Sequence, residues 1–91
     1  MQPWFVYIVC CADGRLYTGI TTDLQRRIDE HNDPTTKLGA RFTRGRRPVT
    51  LVYQQQLGDR SSATRREMEI KAMKKRQKQL LIEDPSINQL I

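Results

Sequence analysis

The chain has 91 residues, 37% hydrophobic and 29% charged, with a formal net charge of +6 and a pI near 9.8. That length leaves room for one domain with one modest core, and the composition excludes a disordered tail. A small basic domain points to a polyanion, with nucleic acid the first candidate; the bland alternative is a charged surface that serves only solubility.

Residues 4–11 (Trp-Phe-Val-Tyr-Ile-Val-Cys-Cys) are aromatic, β-branched and apolar on both faces, which predicts a central strand covered on both sides. The run lacks a basic leader and is too short to span a bilayer, so a cytoplasmic protein without membrane contact is expected. Cys10 and Cys11 are the only cysteines. Adjacent strand residues point to opposite faces, so these two do not bridge each other, and a reducing compartment fits. His31 is the only histidine, and no Cys/His metal-ligand spacing exists.

Ala12-Asp13-Gly14 is the turn into a return strand at 15–20. A two-residue turn would place Tyr7 and Tyr17 on opposite faces. A three-residue loop, with Gly14 left-handed, pairs Cys11 with Arg15 and sets Val9 opposite Tyr17 and Tyr7 opposite Gly19. Both tyrosines then share a face, and this register is the one expected.

Thr22-Asp23-Leu24-Gln25 is a capping-box pattern, predicting a helix from Asp23 with Thr22 as its cap. Leu24, Arg27, Ile28 and His31 fall on one face, leaving Arg26 in water. The helix ends near Asn32-Asp33-Pro34. Residues 33–48 form a long polar loop with Lys37, Arg41, Arg44, Arg46 and Arg47 around Phe42. Basic residues interleaved with an aromatic suit a phosphate backbone with one stacked base; the alternative is a solvated connector in which Phe42 plugs the core edge.

A third strand spans 49–56, and a helix over 62–75, capped by Ser61 or Ser62, places Ala63, Glu67, Ile70 and Lys74 on one stripe, with Met73 at its flank and Glu69 exposed. An inward carboxylate such as Glu67 requires compensation by a cation or hydrogen bonds. A last helix over 76–83 brings Leu80, Leu81 and Ile82, and a short tail follows at 84–91. The expectation is a single domain over 1–91, of the α+β type, with its motifs within 4–82.

Two tyrosines on paired strands thus face Arg27 and His31, with Glu67 supplied from a distance. Singly, each has a structural reading: a core tyrosine, a structural histidine, or an Arg27–Glu67 ion pair that only shapes the domain. Together they suit phosphodiester chemistry.

Val6-Tyr7-Ile8, Tyr17-Thr18-Gly19, Arg27 and His31 on the following helix, and Ala63-Thr-Arg-Arg-Glu67 resemble the GIY-YIG nuclease superfamily in order and spacing. The wider pattern, including Gly58-Asp-Arg-Ser61 and Lys74-Lys-Arg-Gln-Lys78, is similar to its small stand-alone YhbQ-type members. The first motif departs in starting with Val6 instead of glycine. Many members also carry an asparagine after the glutamate helix, where this chain has Gln77 and Gln79. The resemblance implies a three-stranded antiparallel sheet flanked by helices and an endonuclease using one divalent ion, Mg²⁺ or Mn²⁺. Tyr7, Tyr17, Arg27, His31 and Glu67 match the catalytic positions, Glu67 the metal ligand and Gly19 the motif glycine. On that resemblance Glu67 can hold a hard Mg²⁺ ion that keeps several waters, Arg27 can neutralise charge on a scissile phosphate, and Tyr7, Tyr17 and His31 are all candidates for the general base. DNA rather than RNA is the expected substrate, with repair or recombination the role by analogy. So small a protein can gain specificity from a partner or as a homodimer. The alternative class is a module that keeps the fold and binds DNA or RNA without cutting it.

Overall fold

The computed structural model describes residues 2–84, so the expected tail lies almost wholly outside the described residues. Strand β1 (Trp4–Cys10) is central in a three-stranded antiparallel sheet of order β2-β1-β3, with β2 at Leu16–Thr21 and β3 at Thr50–Leu57. Its double coverage explains the unbroken apolar run. Val6 and Ile8 pack on one face with Tyr53, Ile70 and Leu81, and Tyr7 and Val9 pack on the other with Cys11 and Val49.

The hairpin takes the three-residue form. Gly14 has φ +86°, the Cys11 amide donates to the Arg15 carbonyl at 2.8 Å, and Tyr7 and Val9 pair with Gly19 and Tyr17. Because side chains alternate across a strand, that register alone brings both tyrosines to one face. Cys10 and Cys11 are free thiols, Cys11 buried and Cys10 half-buried.

Helix α1 (Leu24–Asn32) covers the tyrosine face. Its cap is Asp23 and not Thr22: the Asp23 carboxylate accepts from the Arg26 amide at 3.1 Å, while Thr21 Oγ accepts from the Asp23 amide at 3.1 Å. A carboxylate at the positive end of the helix prevails over a neighbouring hydroxyl. The same substitution occurs at α3 (Arg60–Lys71), where Asp59, and not Ser61 or Ser62, accepts from the Ser62 amide at 2.7 Å.

Helix α3 packs its Ala63–Ile70 stripe onto the face of the sheet opposite α1. It stops at Lys71, four residues short of the predicted end, so Lys74 is exposed and caps helix α4 (Lys75–Glu83) instead of continuing the stripe. Gln77 accepts from the Lys74 amide at 2.8 Å and so finishes that helix start. Of the three apolar residues of α4, Leu81 is buried, Ile82 partly so, and Leu80 faces water.

The polar segment after α1 is more ordered than predicted. It contains a one-turn helix, α2 (Arg41–Arg44), and is fastened to α1. Asn32 mimics a strand neighbour, donating to the Val49 carbonyl at 3.1 Å and accepting from its amide at 2.7 Å. Arg47 Nε donates to the His31 carbonyl at 2.8 Å. A Cβ at Gly39 would stand 2.9 Å from the Glu30 carbonyl oxygen, a backbone approach that only glycine permits.

Candidate active site

The site grows from the register of the hairpin. Tyr7, 1% exposed, lies across Gly19 on the adjacent strand; a Cβ there would come within 2.6 Å of the phenol oxygen. Gly19 is thus the floor of the site, and its missing side chain is the space the Tyr7 ring occupies.

His31 comes down from the last turn of α1 and is fully buried. Its Nε2 is 2.8 Å from the Tyr7 hydroxyl and its Nδ1 is 2.9 Å from Thr43 Oγ. Thr43 Oγ is also 2.9 Å from the Ala40 carbonyl, to which it donates its single proton. Nδ1 therefore carries the ring hydrogen and donates to Thr43. The Ala40 amide also points at Nδ1, but at 3.4 Å it is the longer and weaker of the two contacts. It follows that Nε2 presents a lone pair and the Tyr7 O–H donates to it. The chain Tyr7–His31–Thr43–Ala40 is one directed row of hydrogen bonds, three of its groups buried side chains.

Burial governs the protonation of this row. Desolvation pushes the Tyr7 phenol up to about 12, with the adjacent Arg27 guanidinium partly countering and the Tyr17 and Glu67 charges adding to the rise. Desolvation first, then the Arg27 charge, brings His31 down to about 4. At neutral pH the pair is a neutral phenol donating to a neutral imidazole. The proton has a place to go without any charge having to be buried beforehand.

Arg27, predicted to lie against the body of the protein, does so. Its NH1 donates to Glu30 Oε1 at 2.9 Å and to the Leu38 carbonyl at 2.6 Å. Those two bonds use both NH1 hydrogens and fix the plane of the guanidinium. Three of its five N–H donors are left for the Tyr7 side and an incoming anion. Arg26 is exposed, as its position on the helix implies.

Tyr17 is half-buried at the other side of His31, with ring centroids 5.5 Å apart and edge-to-face, and it stacks on Phe42 at 5.9 Å. Glu67 lies on α3, the helix on the other face, and its charge adds to the rise in the Tyr7 pKa. The alternative of a purely structural Arg27–Glu67 ion pair is not realised: Glu67 pairs with Lys71 Nζ at 3.5 Å, and Arg27 pairs with Glu30. Among the described residues no three His, Cys, Asp or Glu side chains converge. A divalent ion at this site would rest on Glu67, a partly buried oxygen donor paired with the half-exposed Lys71. That donor set fits Mg²⁺, which keeps most of its waters.

The five basic residues of the segment before β3 separate into two groups. Arg46 donates to Asp13 at 3.1 Å and to the Phe42 carbonyl at 2.7 Å, its guanidinium 4.3 Å from the Phe42 ring centre; Arg47 holds the His31 carbonyl. These two build the segment. Arg44 donates to the Lys37 carbonyl at 2.8 Å but is exposed, as are Lys37 and Arg41, whose side chains have no partner among the described residues.

Residues 3–80 match the model of the GIY-YIG catalytic domain. The chain belongs to the GIY-YIG family. Two relatives are similar across most of their length. UPF0213 protein DP2720 of Desulfotalea psychrophila is 57% identical over 79 residues, 87% of this chain and 70% of the relative. UPF0213 protein YhbQ of Escherichia coli is 46% identical over 82 residues, 90% and 79% of the two chains. The solution NMR structure of the UPF0213 protein BH0048 from Bacillus halodurans resembles the fold with a TM-score of 0.56 at 41% identity, covering 89% of this chain and 83% of that one. GIY-YIG membership supports a nuclease-like function and contact with nucleic acid. No helix among the described residues is long and apolar enough to cross a membrane.

Three functional contributors were not singled out from sequence. Thr43, twelve residues from His31, has no local signal, because only the fold of the α1–α2 segment brings it there. Glu30 could have been noticed as an i+3 partner for Arg27. Asn32 reads as a helix terminator, and its second role as a partner for β3 has no sequence mark.

Proposed function

We propose that the protein is a divalent-metal-dependent endonuclease that hydrolyses phosphodiester bonds in nucleic acid, with DNA as the substrate and repair or recombination as the setting. The observation that carries this reading is the Tyr7 O–H donated to the lone pair of a buried, neutral His31, with the Arg27 guanidinium beside the same phenol.

A phenol held protonated is no base by itself. Coupled to His31 it is a relay: the phenol oxygen takes the proton of the attacking water while its own proton passes to Nε2. Thr43, accepting from Nδ1, stabilises the imidazolium that results. This assigns the base to the Tyr7–His31 pair and leaves Tyr17 to position His31 by edge-to-face contact. Arg27 offers its free donors to the phosphate, where negative charge grows on the non-bridging oxygens. Glu67 would hold the divalent ion, which when bound supplies Lewis-acid polarisation of the phosphate. Lys37, Arg41 and Arg44 are exposed and available to phosphates of the substrate.

The test is cleavage of a panel of labelled single-stranded, duplex and branched DNA and RNA, with Mg²⁺ or Mn²⁺ and with EDTA, comparing wild type and Glu67→Ala. Metal-dependent cutting, abolished in the variant while binding in EDTA is kept, is the expected result. Tight binding by both proteins with no panel member cut would overturn it in favour of a non-cleaving module.

A further inference from the structure

On the far side of Tyr17 from His31, a groove of about 270 Å³ opens between the β1–β2 hairpin, α2 and α4. Arg15 and Leu16 line it from the hairpin, Phe42 from α2, and Lys75 and Lys78 from α4. Phe42 is 37% exposed. It joins the groove to the catalytic cluster, since its ring stacks on Tyr17 and Tyr17 packs on His31.

The charge here is not explained by the fold. Lys75, Arg76 and Lys78 occupy the first turn of α4, which holds no acidic residue. Cations at the positive end of a helix oppose its dipole, so their placement costs stability unless an anion is bound nearby. Among the described residues no carboxylate pairs with any of these three, although Arg15, Arg26, Arg27, Arg46, Arg66 and Lys71 all have one. A stretch that breaks a local rule without an intramolecular partner marks a function outside the chain.

We infer that this groove holds an unpaired strand of the polynucleotide adjoining the cleaved phosphate, with Lys75, Lys78 and Arg15 on its backbone phosphates and Phe42 against a base. The inference rests on the nuclease reading for its placement beside the cleaved bond, but the groove binds whether or not the bond is cut. Phe42 is the aromatic side chain that lines the groove and offers a face to one base. A base reaches an aromatic side chain only when it is unpaired.

Binding of a fluorescent single-stranded oligonucleotide and of a blunt duplex of the same sequence, both in EDTA, provides the test. The Lys75→Ala/Lys78→Ala double variant is compared with Arg60→Ala/Arg65→Ala on α3, which removes the same charge outside the groove. Each phosphate contact with a single strand contributes about 0.7 to the slope of log affinity against log salt, so the groove variant should lose about 1.4 and the control little. Phe42→Leu, which keeps an apolar neighbour for Tyr17, should weaken single-strand binding by about five-fold or more and leave the duplex nearly unchanged. Equal slopes for the two double variants would overturn the groove, as would equal losses on single strand and duplex for Phe42→Leu. A parallel cleavage assay with Mg²⁺ separates the two readings. Groove-dependent binding by a wild type that never cuts would leave the groove standing and remove the nuclease; normal cutting with equal slopes would do the reverse.

Discussion

Gly19→Ala is the substitution whose consequence the geometry states most fully. The new Cβ would lie 2.6 Å from the Tyr7 phenol oxygen, 2.8 Å from its Cζ and 3.0 Å from its Cε2. Carbon contacts settle at about 3.5–4.0 Å, so the ring must retreat by roughly 0.5–1 Å. It has nowhere to go, being buried, with its hydroxyl held by His31 at 2.8 Å. Overpacking of this kind costs about 1–3 kcal/mol. Breaking the Tyr7–His31 bond would leave a buried donor and acceptor unpaired, at about 1–3 kcal/mol more. Partial relaxation makes about 2–4 kcal/mol the expected total, a fall in Tm of roughly 10–20 °C for a domain of this size. Misplacing a reacting group by about 1 Å costs on the order of a hundredfold in rate. Thermal unfolding by circular dichroism and single-turnover cleavage measure the two effects. Gly14→Ala is the control: nothing lies within 4 Å of its Cβ, but φ is +86°, so it should lose about 1 kcal/mol and no activity. A Gly19→Ala protein that melts and cuts like wild type would refute the claim that the Tyr7 ring is held in place by the strand beneath it.

Thr43→Val should leave the His31 Nδ1–H without its acceptor, costing about 1–3 kcal/mol in denaturant unfolding and altering the pH profile of cleavage. Stability should also depend on pH through His31. Its folded value of about 4 lies below the ordinary 6.5, so the unfolded chain binds the proton more readily. The contribution is whole above pH 6.5 and is lost as pH falls toward 4, about 3 kcal/mol in all; His31→Asn should flatten that limb of the curve. Tyr7 acts in the opposite direction at the alkaline end. Its value is raised from 10 to about 12, so the unfolded phenol ionises first and stability declines above pH 10. Asp23→Ala should cost about 1 kcal/mol by removing the α1 cap, whereas Thr22→Ala should cost only a few tenths, and equilibrium unfolding distinguishes them.

The sheet and the tyrosine face were readable because strand periodicity is strict. Once the loop was three residues, the pairing of Tyr7 with Gly19 followed, and so did the shared face. Arg27 and His31 were readable for the same reason, through the helical stripe. The caps at Asp23 and Asp59 were each misplaced because a serine or threonine and an aspartate stood close together, and sequence does not rank them without knowing where the helix dipole begins. Lys74 was misplaced because α3 turns at Ala72, a break with no proline or glycine to announce it. The 33–48 segment was the least readable part. Its order comes from single long-range contacts, Asn32 to Val49, Arg47 to His31 and Thr43 to His31, which obey no period. The partner of Arg27 is local by contrast: Glu30, three residues along the same helix, takes its guanidinium.

The central claim is that the Tyr7 hydroxyl carries the proton of the attacking water to His31. The most direct test is single-turnover cleavage by Tyr7→Phe in Mg²⁺, with unfolding measured alongside to show that the ring still packs. A loss of at least about a hundredfold in rate is expected, with binding in EDTA unchanged. A folded Tyr7→Phe protein that cuts at the wild-type rate would contradict it.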